Sequence, residues 1–328
     1  MLNINEKLKK SLNDINRQIM EKLQKNLIYD KELLEKMISI RVDALRPIKP
    51  LTQQEVLDKF GIKGIVGVDG SICTQGASYP HYISLMQAIA KSTVSSYENI
   101  VMIDIHTPLI DTPSIKAADN SLTVEEKDER VRVNKLALLE LKAAESALDL
   151  MKPSLIMMDG SLTRFYNCCK KEWNRFKTKA LDKKVIVIGI IEEIKTCEIA
   201  KKFEGLIPPG MEAIYDRELL FGMLDKGKMI VLKGWEAGDI NKCFIRTSDD
   251  PHVIGIDFLK DNADKIEEAA ALVMTLTPQD GRGIPLWLDI VDAEARITEK
   301  LATALIETYI DPHIRHRLLI AKRDKRKL

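Results

Sequence analysis

Two runs, SLIMMDGSL at 154–162 and KVIVIGII at 184–191, are continuously apolar rather than alternating. A strand with one wet face alternates apolar and polar residues, so each run predicts a strand covered by helices on both sides. Residues 164–180, between them, are basic and predict a helix. Upstream, 124–151 contains neither glycine nor proline and sets Val131, Leu138, Leu141, Ala144 and Leu148 on one face, which predicts a long helix. Pro153 separates that helix from the next strand.

Three further segments precede the long helix: GIKGIVGVDGSICTQG, YISLMQAIA and NIVMIDIHTPLI. Their β-branched residues between turn signals predict three strands in an antiparallel meander. The order of three strands, helix, strand, helix and strand is that of an RNase H-like mixed α/β sheet. Beyond it, MIVLKGW, KCFIRTS and VIGIDFL predict strands, 262–276 a helix, and IPLWLDIVDAEARITEKLATALIETYI a strand running into a long helix. The expected organisation is an N-terminal helical extension at 1–60, one domain at 61–310 and a basic tail at 311–328. In the extension, Leu8, Leu12, Ile15, Ile19, Leu23 and Leu27 recur at helical spacing. This stripe and the C-terminal helix are expected to serve dimerisation.

No apolar run approaches the ~20 residues that span a bilayer, and the charged N-terminus lacks a signal-like apolar stretch, so a cytoplasmic protein is expected. The five cysteines show no CxxC spacing, which argues against zinc and disulfide frameworks. There is no GxxxxGK[ST] or GxGxxG loop to cradle a nucleotide phosphate. With 50 basic against 49 acidic residues, nucleic-acid binding must come from the distribution of charge.

The strongest chemical signal is a repeated context. Asp69 in VGVDGS and Asp159 in IMMDGSL each leave buried apolar backbone and precede Gly-Ser, read as a turn at a strand end. One Asp-Gly is commonly only a turn. Two, each beside an apolar core, favour cation ligation, because a buried carboxylate needs a counter-charge and hard divalent cations prefer oxygen. A two-metal phosphodiesterase needs further acids. Glu140 and Glu145 in the long helix, and Asp289, Asp292 and Glu294 in WLDIVDAEARIT, are the candidates, against solvated helix acids and an N-cap aspartate as the plainer alternatives. Lys195, after VIVIGII, carries an ammonium that could neutralise a scissile phosphate, against a surface lysine as the plainer alternative. The basic residues Arg164, Lys170, Lys171, Arg175, Lys177 and Lys179, with Phe165, Tyr166, Trp173 and Phe176 among them, suit a single strand held by phosphate contacts and stacking.

Taken together, the VDGS strand, the helical glutamate, the MDGSL strand, the following lysine, YDRELLF and IPLWLDIVDAEARIT resemble the NurA nuclease family over roughly residues 61 to 310. The resemblance implies an RNase H-like, Mn²⁺-dependent DNA nuclease. It implies action from 5′ ends and on single strands, as a homodimer, in end resection and double-strand break repair with a HerA-type hexameric ATPase. It makes Asp69, Glu140, Asp159 and Asp292 metal ligands, with Mg²⁺ a possible substitute, and adds Lys195 to the catalytic set; Asp216 falls in YDRELLF without an assigned role. Asp292 stands where many relatives carry a histidine. The alternatives are an RNase H-fold nuclease of other specificity and a non-catalytic DNA-binding or adaptor subunit of a translocase complex.

Overall fold

The computed structural model describes residues 5–26, 31–111, 122–203, 214–232 and 238–320. The expected basic run after Ile320, Leu27 of the N-terminal stripe, and Lys233, Gly234 and Trp235 of the MIVLKGW segment lie outside them.

The chain begins with two helices, α1 (Glu6–Asn26) and α2 (Lys31–Arg41), followed by the short strand β1 (Arg46–Pro47). The meander follows as β2 (Ile65–Gly76), β3 (Tyr82–Ser92) and β4 (Ile100–His106), paired antiparallel in sequence order. Helix α3 (Val124–Leu150) starts on a capping box, in which the Thr123 hydroxyl accepts from Glu126 N while the Glu126 carboxylate accepts from Thr123 N. Strands β5 (Leu155–Asp159) and β6 (Ile186–Ile191) run parallel to β2 and frame helices α4 (Leu162–Cys168) and α5 (Lys170–Asp182). Strands β7 (Lys228–Val231), β8 (Ile240–Ile245) and β9 (Ile254–Leu259) extend the sheet antiparallel beyond β6. A 3₁₀ stretch, Lys260–Lys265, leads into α6 (Ile266–Leu276), and α7 (Leu286–Ala295) and α8 (Glu299–Tyr309) follow.

The nine strands form one sheet in the order β1-β7-β8-β9-β6-β5-β2-β3-β4. Its β4-β3-β2-β5-β6 half is the expected RNase H-like arrangement, with β2 central between an antiparallel meander and parallel partners. Alternation along each strand divides two cores. Val66, Val68, Ile156, Met158 and Val187 pack under α3, α4 and α5, whereas Ile65, Leu155, Met157, Ile188, Ile190 and Ile256 pack against α6 and α7. A third core joins Leu34, Met37, Ile38 and Val42 to Ile194, Phe203, Leu220 and Phe244, so α2 is packed into the body of the molecule.

Two local expectations are corrected. Asp69 does not end its strand: β2 continues to Gly76 in register with β3, because the meander partner supplies ladder bonds through the Gly-Ser pair. The segment from Ile284 forms no strand. Pro285 caps α7, which begins at Leu286 and packs on β2 and β3, so this apolar run fills a helix–sheet interface instead of joining the ladder.

Candidate metal and catalytic site

Asp69 and Asp159 become neighbours through register. Val68 pairs with Met158 in the parallel β2–β5 ladder, so the next position on each strand is the aspartate. Both side chains leave on the α6–α7 side, in phase with Ile65 and Met157. Helix α7 is seated there because Gly67 has no side chain: a Cβ would stand 2.8 Å from Val291 and 3.1 Å from Trp287. That packing carries Asp292 to the two aspartates, in mid-helix rather than at an N-cap, and pairs it with Arg296 at 2.6 Å.

Glu140 arrives from the other face. Its side chain lies across Gly70, where a Cβ would fall 2.6 Å from Oε1, and it is buried. Arg164, in the first turn of α4, donates to its carboxylate. Gly160, with φ at +86°, reverses the chain between Asp159 and α4, so one turn sets both the second aspartate and this arginine.

The electrostatics follow from crowding. Burial pushes the Glu140 carboxyl up to about 8, against the opposing pull of Arg164 and with a further push from Asp69 and Asp159. Burial and then the Asp159 charge raise Asp69 to about 7, although Gly70 N–H donates to it at 2.7 Å. Asp159 opens to solvent at the sheet end, yet its packed surroundings raise it as well. Arg164 and Arg282 oppose that shift, and Asp292 and Glu192 add to it. Like charges held this close, with burial, are the condition that a bound cation relieves.

The donors suit a hard cation in chemistry, being carboxylate oxygens throughout. They are not gathered: among the described residues, no three acidic or histidine side chains already stand close enough to hold an ion. Glu140 approaches from one face with Arg164 upon it, while the three aspartates lie on the other.

Other predicted residues separate from this cluster. Glu145 is engaged by Arg175 on the outside of α3, at 2.9 and 2.5 Å. Asp289 pairs with Arg282, and Glu294 with Lys91 and Asn99. Lys195 is exposed on the loop after β6. Asp216 is fully buried and accepts from Thr196 Oγ1, Glu198 N and Ile199 N, so it caps the short helix Glu198–Lys201. The stacking platform expected after Asp159 is corrected: Phe165, Trp173 and Phe176 are core residues, and Arg175, Lys177 and Lys179 are ion-paired to Glu145, Asp239 and Asp149. The helical period of these aromatics, shared with Ala180, was the available signal of burial.

Three further residues join the site. Arg164, which its sequence neighbours group with the DNA-contacting basic residues, donates to Glu140. Glu192 follows β6, next to the strand bearing Asp159, and Arg282 bridges Glu192 to Asp289 at 2.7 and 2.5 Å. Neither belongs to a motif, and only the sheet order brings them near Asp159.

The sequence matches the NurA domain over residues 63–297. No curated protein matches it. Among solved structures it is similar to an endonuclease V from Bacillus subtilis, at 14% identity and a TM-score of 0.42, covering 84% of this chain and 92% of that one. It is also similar to the catalytic domain of human endonuclease V, at 11% identity and a TM-score of 0.38 over 84% and 96% of the two chains. A third similarity is to Kluyveromyces polysporus Argonaute with a guide RNA, at 12% identity and a TM-score of 0.37 over 80% and 29%.

Proposed function

The chain belongs to the NurA family, and from that premise we propose that it is a Mn²⁺-dependent DNA nuclease whose ligands are Asp69, Glu140, Asp159 and Asp292. The observation that carries this reading is that the β2–β5 register makes Asp69 and Asp159 neighbours while Glu140 reaches the same strand from the opposite face, with the Asp69 and Glu140 carboxyls pushed up to about 7 and about 8. Bound divalent cations supply, in such sites, a water acidic enough to attack phosphorus at neutral pH and a counter-charge for the leaving oxygen.

The residues of the chain divide the remaining work. Asp69, central on β2 and beside both other aspartates, would be the central ligand of a bound cation. Arg164 offers a fixed positive charge to a phosphodiester brought to the carboxylates, and Lys195, on the solvent side, offers an ammonium to the DNA backbone. At Asp292 the family resemblance leads one to expect histidine; aspartate there replaces a nitrogen donor with the oxygen donor that a hard cation prefers. In keeping with the family, we assign DNA ends and single strands as substrates, resection as the process, a homodimer as the working unit and a HerA-type ATPase as partner. The sequence offers no phosphate-cradling loop for ATP, which agrees with a separate motor.

The test compares wild type with Asp69→Asn, Glu140→Gln and Asp159→Asn on 5′ and 3′ labelled DNA in Mn²⁺, Mg²⁺ or EDTA. Cleavage only with metal, lost in all three folded variants, is expected; equal cutting by the variants rejects the assignment. One observation favours the adaptor alternative, namely that Arg164 already occupies Glu140. That alternative requires a wild type that binds no Mn²⁺ and never cuts, with or without the ATPase.

A further inference from the structure

The turn that presents Asp159 is held from two strands away. Lys242 on β8, Asp257 on β9, Gly189 on β6 and Met158 on β5 are successive register partners, one row across the sheet. Asp257 and Lys242 point toward the α3–α5 side, since their neighbours Cys243, Ile256 and Phe258 fill the opposite core. Both are buried and they pair at 3.0 Å.

A buried ion pair is a poor source of stability, because desolvating two charges cancels most of their attraction. The arrangement of this pair points to another role. The second oxygen of Asp257 accepts from Ser161 Oγ at 2.5 Å and from Leu162 N at 3.0 Å. It reaches that turn past Gly189, where a Cβ would stand 2.5 Å from Gly160 O and 2.9 Å from Leu162 Cγ. The missing side chain on β6 is therefore a window through which β9 grips the chain leaving β5. Ser161 Oγ in turn accepts from Thr163 N at 3.2 Å as the cap of α4. The clamp thus lies between Asp159 and Arg164, the partner of Glu140.

We propose that Asp257, held by Lys242, is a positioning residue for the metal site, fixing the Asp159–Leu162 turn so that Asp159 and Arg164 meet the remaining carboxylates. It touches neither substrate nor cation. The proposal rests on the metal-dependent reading above. Partners of this kind, one step behind a ligand, typically change metal affinity or activity by about 10 to 100-fold when removed.

The experiment measures Mn²⁺ affinity by calorimetry, kcat and KM on DNA, and the Asp159 position in crystals of the metal-free protein. It uses full-length Asp257→Ala, Asp257→Asn, Ser161→Ala and Gly189→Ala. Expected are about 10-fold or greater losses of Mn²⁺ affinity and kcat in Asp257→Ala with KM unchanged, smaller losses in Ser161→Ala and Asp257→Asn, and a displaced Asp159 in Gly189→Ala. Wild-type Mn²⁺ affinity and an unmoved Asp159 in folded Asp257→Ala overturn the proposal. Should Asp257→Ala fail to fold, the same result in both Ser161→Ala and Gly189→Ala overturns it. If wild type itself binds no Mn²⁺, the nuclease reading fails separately, and the Asp159 position in the metal-free crystals still decides whether Asp257 sets the turn.

Discussion

Asp69 and Glu140 ionise near 4 in an unfolded chain and at about 7 and about 8 in the folded one. A raised carboxyl adds stability that is complete below its unfolded value and disappears as the pH climbs through its folded value. The metal-free protein is therefore expected to lose melting temperature between about pH 4 and pH 8, where the unfolded state holds fewer protons. Mn²⁺ binds the ionised form, so its apparent affinity should rise over the upper part of that window, with protons released on binding. Calorimetry in two buffers of different ionisation enthalpy counts those protons, and a pH-independent affinity contradicts the crowded-carboxylate account. Gly70 makes a second case at this scale. Gly70→Ala places a methyl group on Glu140 Oε1, so the variant should bind Mn²⁺ more weakly while keeping its fold; unchanged affinity would mean that Glu140 is not a ligand.

Among the elements, α5 shows how one pattern serves two readings. Its Arg175 and Lys179 face outward to acids of α3, while Trp173 stacks 6.1 Å from Phe165 inside the core. Trp173→Ala is expected to lower stability by about 3–5 kcal/mol, read by urea unfolding, without altering DNA affinity per folded molecule. A selective loss of DNA binding would restore the stacking role. Helix α7 shows the reverse dependence, since its contact with Gly67 brings Asp292 to the site. Gly67→Ala is expected to push Val291 and Trp287 outward and to lower activity more than stability, which paired melting and cleavage assays separate.

At the scale of the whole molecule, α1 has no buried residue among those whose burial is described, and Leu8, Leu12, Ile15 and Ile19 are exposed along it at heptad-like steps. If this stripe meets a second copy, as the homodimer assignment holds, removing residues 1–26 should convert a dimer to a monomer in light scattering and leave the melting temperature unchanged; a persisting dimer assigns the interface elsewhere. The exposed row Val101, Ile103 and Ile105 on edge strand β4 is the next surface to test, by charge substitution. No helix among the described residues is long and apolar enough to cross a membrane. The sequence by itself determined the alternation of strands and helices, the meander, the doubly covered β5 and β6, and the two Asp-Gly-Ser positions, because hydrophobic period and local turn chemistry are properties of short windows. Only the tertiary structure decided that Asp69 lies in mid-strand, that the run from Pro285 is helical, that the aromatics of α5 are core, and that Arg164, Glu192 and Arg282 surround Asp159. Those facts depend on which strand lies beside which, and on three glycines, at 67, 70 and 189, whose missing side chains admit Val291 and Trp287, Glu140 and the Asp257 clamp from elements far away in the chain.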